Sequence, residues 1–468
     1  MSTFFIQQFG CRATQADGAA IERQLREQGF CLAPDPTVAD VVVLNTCTVT
    51  SAADTQARDA IRKLHAANPS TRIVVTGCYA QRAPEEIAAL PGVSFVVGNS
   101  HKPQIPQLLH SIARSSLHFV GVDLAQPLRA SQEYPSASPA PILTGDISLL
   151  SDVLVAPVLG GEGNHTRPTL KIQDGCNSRC SFCVIPLVRG KSRSLPPQTV
   201  LSEIQRLADS GFREIVLSGI NLGTYGRDLT PRVEFLDLLR RILDETSVER
   251  LRISSIEPLD VTQDLIEFFA SSDRIAPHFH MPLQSASDRI LAAMHRWYRA
   301  EHYARRVELI HDRLPHAAIG ADVITGFPGE TDSDHAATLQ FLEPRPFTYL
   351  HVFSYSSRPG TRAAALANHL PGYVIKRRAR ELRALAAGKS AAFRCSQIGR
   401  TLRVLTLHRD TTDDPNFTPA LSENYLTVRL PVSLPHNQFL EAEVTHAGGM
   451  QLFASPIESR TLALSGAI

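Results

Sequence analysis

The sequence predicts an α/β protein in three parts: an N-terminal doubly wound parallel sheet, a central partial (β/α)6 barrel and a small C-terminal antiparallel β-barrel. Three observations carry this reading. Short β-branched runs alternate with helix-length amphipathic stretches through the first hundred residues. Six further β/α units lie between Thr169 and Tyr355. From about Gly399 to Ser455 the helical periodicity gives way to alternating strands with polar connections. The 468 residues leave room for this plan, at roughly 100–200 residues per domain.

In the first part, strands are expected at Phe4–Phe9, Val41–Asn45, Ile73–Thr76 and Phe95–Val97, with helices at Gln15–Gln28 and Ala52–Ala66. From about Pro127 to Pro168 the chain turns rich in Pro, Ser, Ala and Gly, as a linker does. The barrel strands are expected at Thr169–Gln173, Glu214–Ser218, Arg250–Ser254, His278–Leu283, Ile319–Thr325 and Tyr349–Tyr355. Between them lie amphipathic segments such as Thr199–Asp209, Leu236–Asp244 and Ser287–Met294. "RTLRVLTLHR", "NYLTVRLPV" and "FLEAEVTHAGG" supply the strands of the last part, a type of barrel that often binds oligonucleotides.

Composition narrows the function class. The 43% hydrophobic and 20% charged content exclude global disorder and a fibrous repeat. The 47 Lys+Arg against 46 Asp+Glu give +1, so any nucleic-acid binding must come from a local patch. No apolar run approaches the roughly 18–20 residues of a membrane span. The first cation is Arg12, so no secretory signal is expected and a cytoplasmic location is. In that reducing compartment the eight cysteines point to metal ligation, catalysis or burial rather than disulfides.

Three of them form Cys176-Asn-Ser-Arg-Cys180-Ser-Phe-Cys183, directly after the first barrel strand. Thiolates are soft ligands suited to iron–sulfur clusters or zinc. Three in one short loop can hold three irons of a [4Fe–4S] cube and leave the fourth open. The alternative is a zinc site completed elsewhere, for example by His165, although paired CxxC knuckles are absent. Cys11, Cys47 and Cys78 each follow the carboxyl end of an N-terminal strand, the edge where open α/β sheets bind ligands. Wide sequence spacing therefore does not keep them apart. Neither a Ser-His-Asp arrangement nor a paired-carboxylate signature stands out.

The CxxxCxFC run after the first strand of a six-unit barrel resembles the radical S-adenosylmethionine (radical-SAM) superfamily. "GCRATQAD", "NTCTVT" and "VTGCYAQ" are similar to the three N-terminal cysteine motifs of its methylthiotransferases. "KIQDGCNSRCSFCVIPLVRGKSRS", "SGINLGTYG", "MPLQSASDRILAAMHR", "DVITGFPGET" and "HVFSYSSRPGTRAA" follow in that family's order, and "LSENYLTV" resembles its TRAM-type barrel. The resemblance covers nearly the whole chain, divided as an N-terminal methylthiotransferase domain at 1–110, a linker at 111–165, a radical-SAM core at 166–397 and a TRAM-like barrel at 398–460. "IQDGC" and "INLGTYG" are most similar to the branch acting on N6-threonylcarbamoyladenosine beside the tRNA anticodon.

The resemblance implies two [4Fe–4S] clusters. Cys176, Cys180 and Cys183 would hold the one that binds and cleaves S-adenosylmethionine. Cys11, Cys47 and Cys78 would hold an auxiliary one that delivers sulfur. One S-adenosylmethionine would methylate that sulfur; a second would give the 5′-deoxyadenosyl radical that takes hydrogen from C2 of the adenine. The implied partners are the tRNA anticodon loop and a reducing electron donor such as flavodoxin or ferredoxin, with no membrane. Where the family pattern is GCxxN, this chain offers Thr14 or Gln15 for the amide.

Further candidates follow from the strand ends. Phe182, Gly219, Asn221, Ser254, Glu257 and Gln284 are expected to bind S-adenosylmethionine, with Gly326–Gly329 near its adenine. Arg189, Lys191 and Arg193 are expected to clamp RNA phosphates at the barrel mouth. "KRRARELR" reads as a solvated helix face. "AAGKS" lacks the upstream glycine of a phosphate-binding loop, and Cys31 and Cys395 read as structural thiols. Two readings stand beside this one: the same chemistry on isopentenyladenosine or a ribosomal protein, and a non-catalytic iron–sulfur or zinc RNA-binding protein.

Overall fold

The computed structural model describes residues 2–114, 139–150, 153–159, 166–409 and 414–457. Its first layer is a six-stranded parallel sheet in the order β2-β1-β3-β4-β5-β6. The strands are β1 (Thr3–Gln8), β2 (Cys31–Leu32), β3 (Val41–Thr46), β4 (Arg72–Gly77), β5 (Val93–Gly98) and β6 (Ile142–Leu143). Successive side chains point to opposite faces, both of them covered, which explains the unbroken apolar runs Val41–Leu44 in β3 and Ile73–Val75 in β4. Val42, Leu44, Ile73 and Val75 enter the core covered by Ala57 and Ile61 of the helix Ser51–Ala67. Val41, Val43 and Val74 enter the opposite core, against Ile21 and Leu25 of the helix Arg12–Glu27. Strand order reverses at β1 and β3, which opens a crevice beyond their carboxyl ends.

The linker segment carries two short strands among its described residues. Ile142–Leu143 extends the first sheet as β6, and β7 (Pro157–Val158) pairs antiparallel with the first barrel strand. Residues 115–138, 151–152 and 160–165 lie outside the described residues, His165 among them.

The central unit contains β8 (Thr169–Asp174), β9 (Arg193–Ser194), β10 (Glu214–Gly219), β11 (Arg250–Ile253), β12 (His278–His280), β13 (Ala318–Thr325) and β14 (Tyr349–Ser354). β8, β10 and β11 pair in parallel, as do β12, β13 and β14. Parallel bridges Leu251–Ile275 and Ser255–His280 join the two halves, so the six β/α units form one open parallel sheet. Its apolar core takes Leu170, Ile215 and Leu251 from the strands and Ile204, Leu238 and Val307 from the covering helices.

The last five strands, β15 (Thr401–Thr406), β16 (Thr418–Ser422), β17 (Thr427–Leu430), β18 (Phe439–Gly448) and β19 (Gln451–Pro456), close into a barrel. Fully buried Arg250 and Arg252 fix it to the central unit: both pair with Glu214 at 2.7 Å and donate to the carbonyls of Arg403 and Glu423 at 3.0 Å. Among the described residues no helix is long and apolar enough to cross a membrane.

Candidate active site

Both thiol sets lie where strands end. Cys176, Cys180 and Cys183 occupy the loop between β8 and the short helix Ile185–Arg189. The backbone N–H of Ser178 approaches Cys176 Sγ at 3.3 Å, and Arg296 Nη1 donates to Cys180 Sγ at 3.3 Å. Burial pushes the Cys183 thiol up to about 12. It also raises Cys180, with Arg296 offsetting part of the effect. Cys11 follows β1, Cys47 follows β3, and Cys78 opens the short helix Cys78–Arg82 after β4. Gly10, at φ +105°, packs so closely on Cys47 that a Cβ would sit 2.4 Å from the Cys47 Cβ. Burial, with Cys78 and Cys11 as neighbours, pushes Cys47 up to about 12.

These thiols fit an iron–sulfur cluster better than a single ion. Zinc holds thiolates at about 2.3 Å in a tetrahedron, which needs closely spaced sulfurs. Among the described residues, the ligand atoms that all lie within 4.8 Å of one another are those of His280, Asp322 and His351, and neither cysteine set is so compact. Buried thiols with raised pKa lose their protons readily only to a metal, and three soft donors per set match a cube with one open corner.

The two sets face each other. Cys78 packs with Val184, which follows Cys183, and with Val188 of the helix Ile185–Arg189. Asn99 Nδ2 lies 3.6 Å from Cys78 Sγ and donates to the Val188 carbonyl at 2.7 Å. A cavity of about 220 Å³ is lined by Val49 and Thr50, which follow Cys47, and by Phe182, Cys183, Gln284 and Asp322 of the barrel.

Comparison with known proteins agrees with this arrangement. The model of "Uncharacterized protein family UPF0004" matches residues 3–98, and that of the "Radical SAM superfamily" matches residues 170–342. The "Threonylcarbamoyladenosine tRNA methylthiotransferase MtaB" of Aquifex aeolicus is 36% identical over 421 residues, covering 90% of this chain and 94% of that one. Its namesake in Bacillus subtilis is 35% identical, covering 92% and 90%. The chain belongs to the radical-SAM tRNA methylthiotransferase family. The "tRNA-2-methylthio-N(6)-dimethylallyladenosine synthase" of Syntrophobacter fumaroxidans is 34% identical, over 92% of this chain and 90% of its own length. The radical S-adenosylmethionine methyltransferase TsrM of Kitasatospora setae shares the fold, with a TM-score of 0.53 at 15% identity over 78% of this chain and 77% of that one. S-adenosylmethionine and [4Fe–4S] clusters are the cofactors of such enzymes.

In this methylthiotransferase the expected cofactor-binding residues occupy the mouth of the sheet. Asn221 donates its backbone N–H to Gln173 Oε1 at 2.8 Å, and its Nδ2 lies 4.0 Å from Cys176 Sγ. Ser254 follows β11, and Glu257 pairs with Arg296, the guanidinium that touches Cys180. Gln284 takes the left-handed conformation at φ 64°, and its buried Oε1 has no partner among the described residues. A Cβ on Gly219 would lie 2.8 Å from Leu222. Phe182 packs on Met294 and Phe327, so Phe327 of the Gly326–Gly329 turn is a buried core residue. At the auxiliary set, Thr14 Oγ1 lies 3.7 Å from Cys11 Sγ.

The expected phosphate clamp requires correction. Arg189 is only 2% exposed. It bonds Asp174 at 2.8 and 3.0 Å and Asp17 at 3.0 Å. Arg193 is also buried, donating to the carbonyls of Arg189 and Lys191 at 2.9 and 3.1 Å. Lys191 alone of the three is exposed. The two arginines cannot face solvent because they lie under the N-terminal domain, with Lys102 and Lys171 also bonded to Asp17. In "KRRARELR", Arg378 is likewise buried, paired with Glu330 at 2.6 Å. Cys31 and Cys395 are exposed. Arg296 was not singled out from the sequence, although it closes the motif "MPLQSASDRILAAMHR".

Proposed function

We propose that this enzyme inserts a methylthio group at C2 of N6-threonylcarbamoyladenosine beside the tRNA anticodon. The observation that carries the reading is the shared cavity, walled on one side by the loop after Cys47 and on the other by Cys183 and Phe182. A target base held there would lie against Cys183 and beside the segment that follows Cys47. The names of the Aquifex and Bacillus relatives support threonylcarbamoyladenosine as the target.

Cys176, Cys180 and Cys183 would hold one [4Fe–4S] cluster and Cys11, Cys47 and Cys78 the other. Together with S-adenosylmethionine these groups supply hydrogen abstraction, sulfur and methyl, chemistry that no acid or base achieves at an aromatic C–H. The protein's own residues bind and orient. Arg296 donates to Cys180 Sγ, and Glu257 holds Arg296 in place. Gln284 Oε1 and Asn221 Oδ1 are buried acceptors free for a ligand's N–H groups. Phe182, Ile324 and Phe353 give the cavity apolar walls that exclude water. Exposed Lys191 is left to contact RNA phosphate, in the cytoplasm where tRNA resides, with flavodoxin or ferredoxin as electron donor.

Mass spectrometry of tRNA nucleosides from a deletion strain tests this. The methylthio derivative of threonylcarbamoyladenosine should vanish and return on complementation. Loss of the isopentenyladenosine derivative instead would overturn the choice of substrate.

A further inference from the structure

The concave face of the barrel carries a column of polar side chains that cluster ligation does not use. Tyr425 of the C-terminal barrel stacks on His278 with ring centroids 4.3 Å apart. His278 Nε2 lies 2.7 Å from Tyr349 Oη, and that oxygen lies 2.9 Å from His280 Nδ1. His280 Nε2 and His351 Nδ1 both reach Asp322 Oδ1, at 3.0 and 3.3 Å. The column is built in: Gly320 leaves the space that the Tyr349 ring fills, since a Cβ there would be 2.0 Å from Tyr349 Cζ.

Proton positions follow by elimination. Burial pushes the Asp322 carboxyl up, but the bonds from His280 and His351 outweigh it and hold it below the usual range. Asp322 is thus an acceptor only, so His280 Nε2 and His351 Nδ1 each carry a proton. With that proton on Nε2, the Nδ1 of His280 faces the Tyr349 hydroxyl, which in turn faces His278 Nε2. His351 Nε2 has no partner among the described residues, and the side chain is 56% exposed.

His351 stands at the edge of the reaction cavity. Its partner Asp322 lines that cavity, as does Phe353, two residues along the same face of β14 and edge-on to the imidazole at 6.5 Å. Among the described residues no Lys or Arg lines the cavity, and Asp322 is the one charged side chain that does. An anionic substrate group meets a favourable partner there only if a donor stands before Asp322. An imidazole set between two carboxylates can donate to one from each ring nitrogen.

We infer that His351, oriented by Asp322, recognises the carboxylate of the N6 substituent of the target adenosine and so selects threonylcarbamoyl over alkyl substituents. This inference rests on the substrate reading above. An alkyl group leaves the His351–Asp322 pair without its bond, the situation in which polar sites discriminate strongly.

The test uses the cluster-loaded full chain and three RNA hairpins differing only at one adenosine. They carry the threonylcarbamoyl group, its carboxamide analogue, or the isopentenyl group. Binding is read by fluorescence anisotropy and turnover as kcat and KM. The wild type should bind the acid about tenfold or more above the amide. His351→Phe should lose that preference while binding the amide as before, with the loss in turnover falling on KM. His351→Gln, which keeps a donor, should retain part of it, and melting temperature and iron content confirm that both variants fold. A His351→Phe enzyme that still prefers the acid overturns the inference. A wild type that prefers the isopentenyl hairpin overturns the substrate reading instead. One equivalent of zinc lost with His351→Phe, together with loss of the preference on chelation, would make the triad a metal site and also overturn the inference.

Discussion

Arg189 Nη2 lies 3.0 Å from Asp17 Oδ2, tying the end of the cysteine loop to the first helix of the N-terminal domain. Both side chains are buried, with 2% and 3% of their surface exposed. Asp17 and Asp174 there meet Lys102, Lys171 and Arg189, so the cluster carries an excess of positive charge beside Cys11 and Cys78. Burial pushes Asp17 up, but the three cations outweigh it and hold the carboxyl well below its ordinary range. That position suits an anionic iron–sulfur centre on the neighbouring thiols.

Removing one partner leaves a buried charge uncompensated. Asp17→Asn should therefore lower unfolding free energy by about 3–5 kcal/mol, measured by urea denaturation. Asp237→Asn, which breaks an exposed pair with Arg240, should cost about 0.5 kcal/mol or less. Equal effects from the two would show that the buried network does not hold the domains together.

The two thiol sets should be separable. Reconstituted wild type should carry about eight irons. Replacing Cys176, Cys180 and Cys183 with Ala should leave about four and abolish 5′-deoxyadenosine formation. Replacing Cys11, Cys47 and Cys78 should also leave about four, keep S-adenosylmethionine cleavage and abolish methylthiolation. Full iron content in either triple variant would refute its ligand assignment.

Gly10→Ala should behave as an auxiliary-set defect although it removes no ligand. The new methyl would overlap the Cys47 Cβ at 2.4 Å, in a left-handed conformation that alanine resists. Iron analysis should show a fall from about eight towards about four, with S-adenosylmethionine cleavage retained. Unchanged iron would mean that the Cys47 loop yields freely.

The contact between His278 and Tyr425 should weaken in acid. Burial, then Arg252, His280 and Arg12, pushes His278 well below its ordinary value. The unfolded chain binds that proton near pH 6.5, whereas the folded chain resists it. The stabilisation from neutral His278 is therefore complete above about pH 6.5 and declines as pH falls towards the folded value. Melting temperature should drop over that range, and His278→Gln should flatten the drop. An identical pH profile in the variant would assign the acid sensitivity to other groups.

The sequence by itself determined the three-part fold and the six cysteines singled out for ligation. Strand periodicity and a thiol after each strand end are local patterns, and the parallel sheet converts them into converging sites by topology alone. The unbroken apolar runs in β3 and β4 likewise announced a sheet covered on both faces. Burial at a domain junction is different, because it depends on residues far apart in the chain. Arg189 and Asp17 are 172 positions apart, so a basic run that reads as an RNA clamp is instead neutralised from a helix that sequence cannot place beside it. The same holds for His351. Nothing local distinguishes it from other histidines; only the side-by-side pairing of β12, β13 and β14 sets it on Asp322 with one nitrogen free at the cavity edge. Local pattern decided which residues are available, and long-range packing decided which face substrate and which hold the domains together.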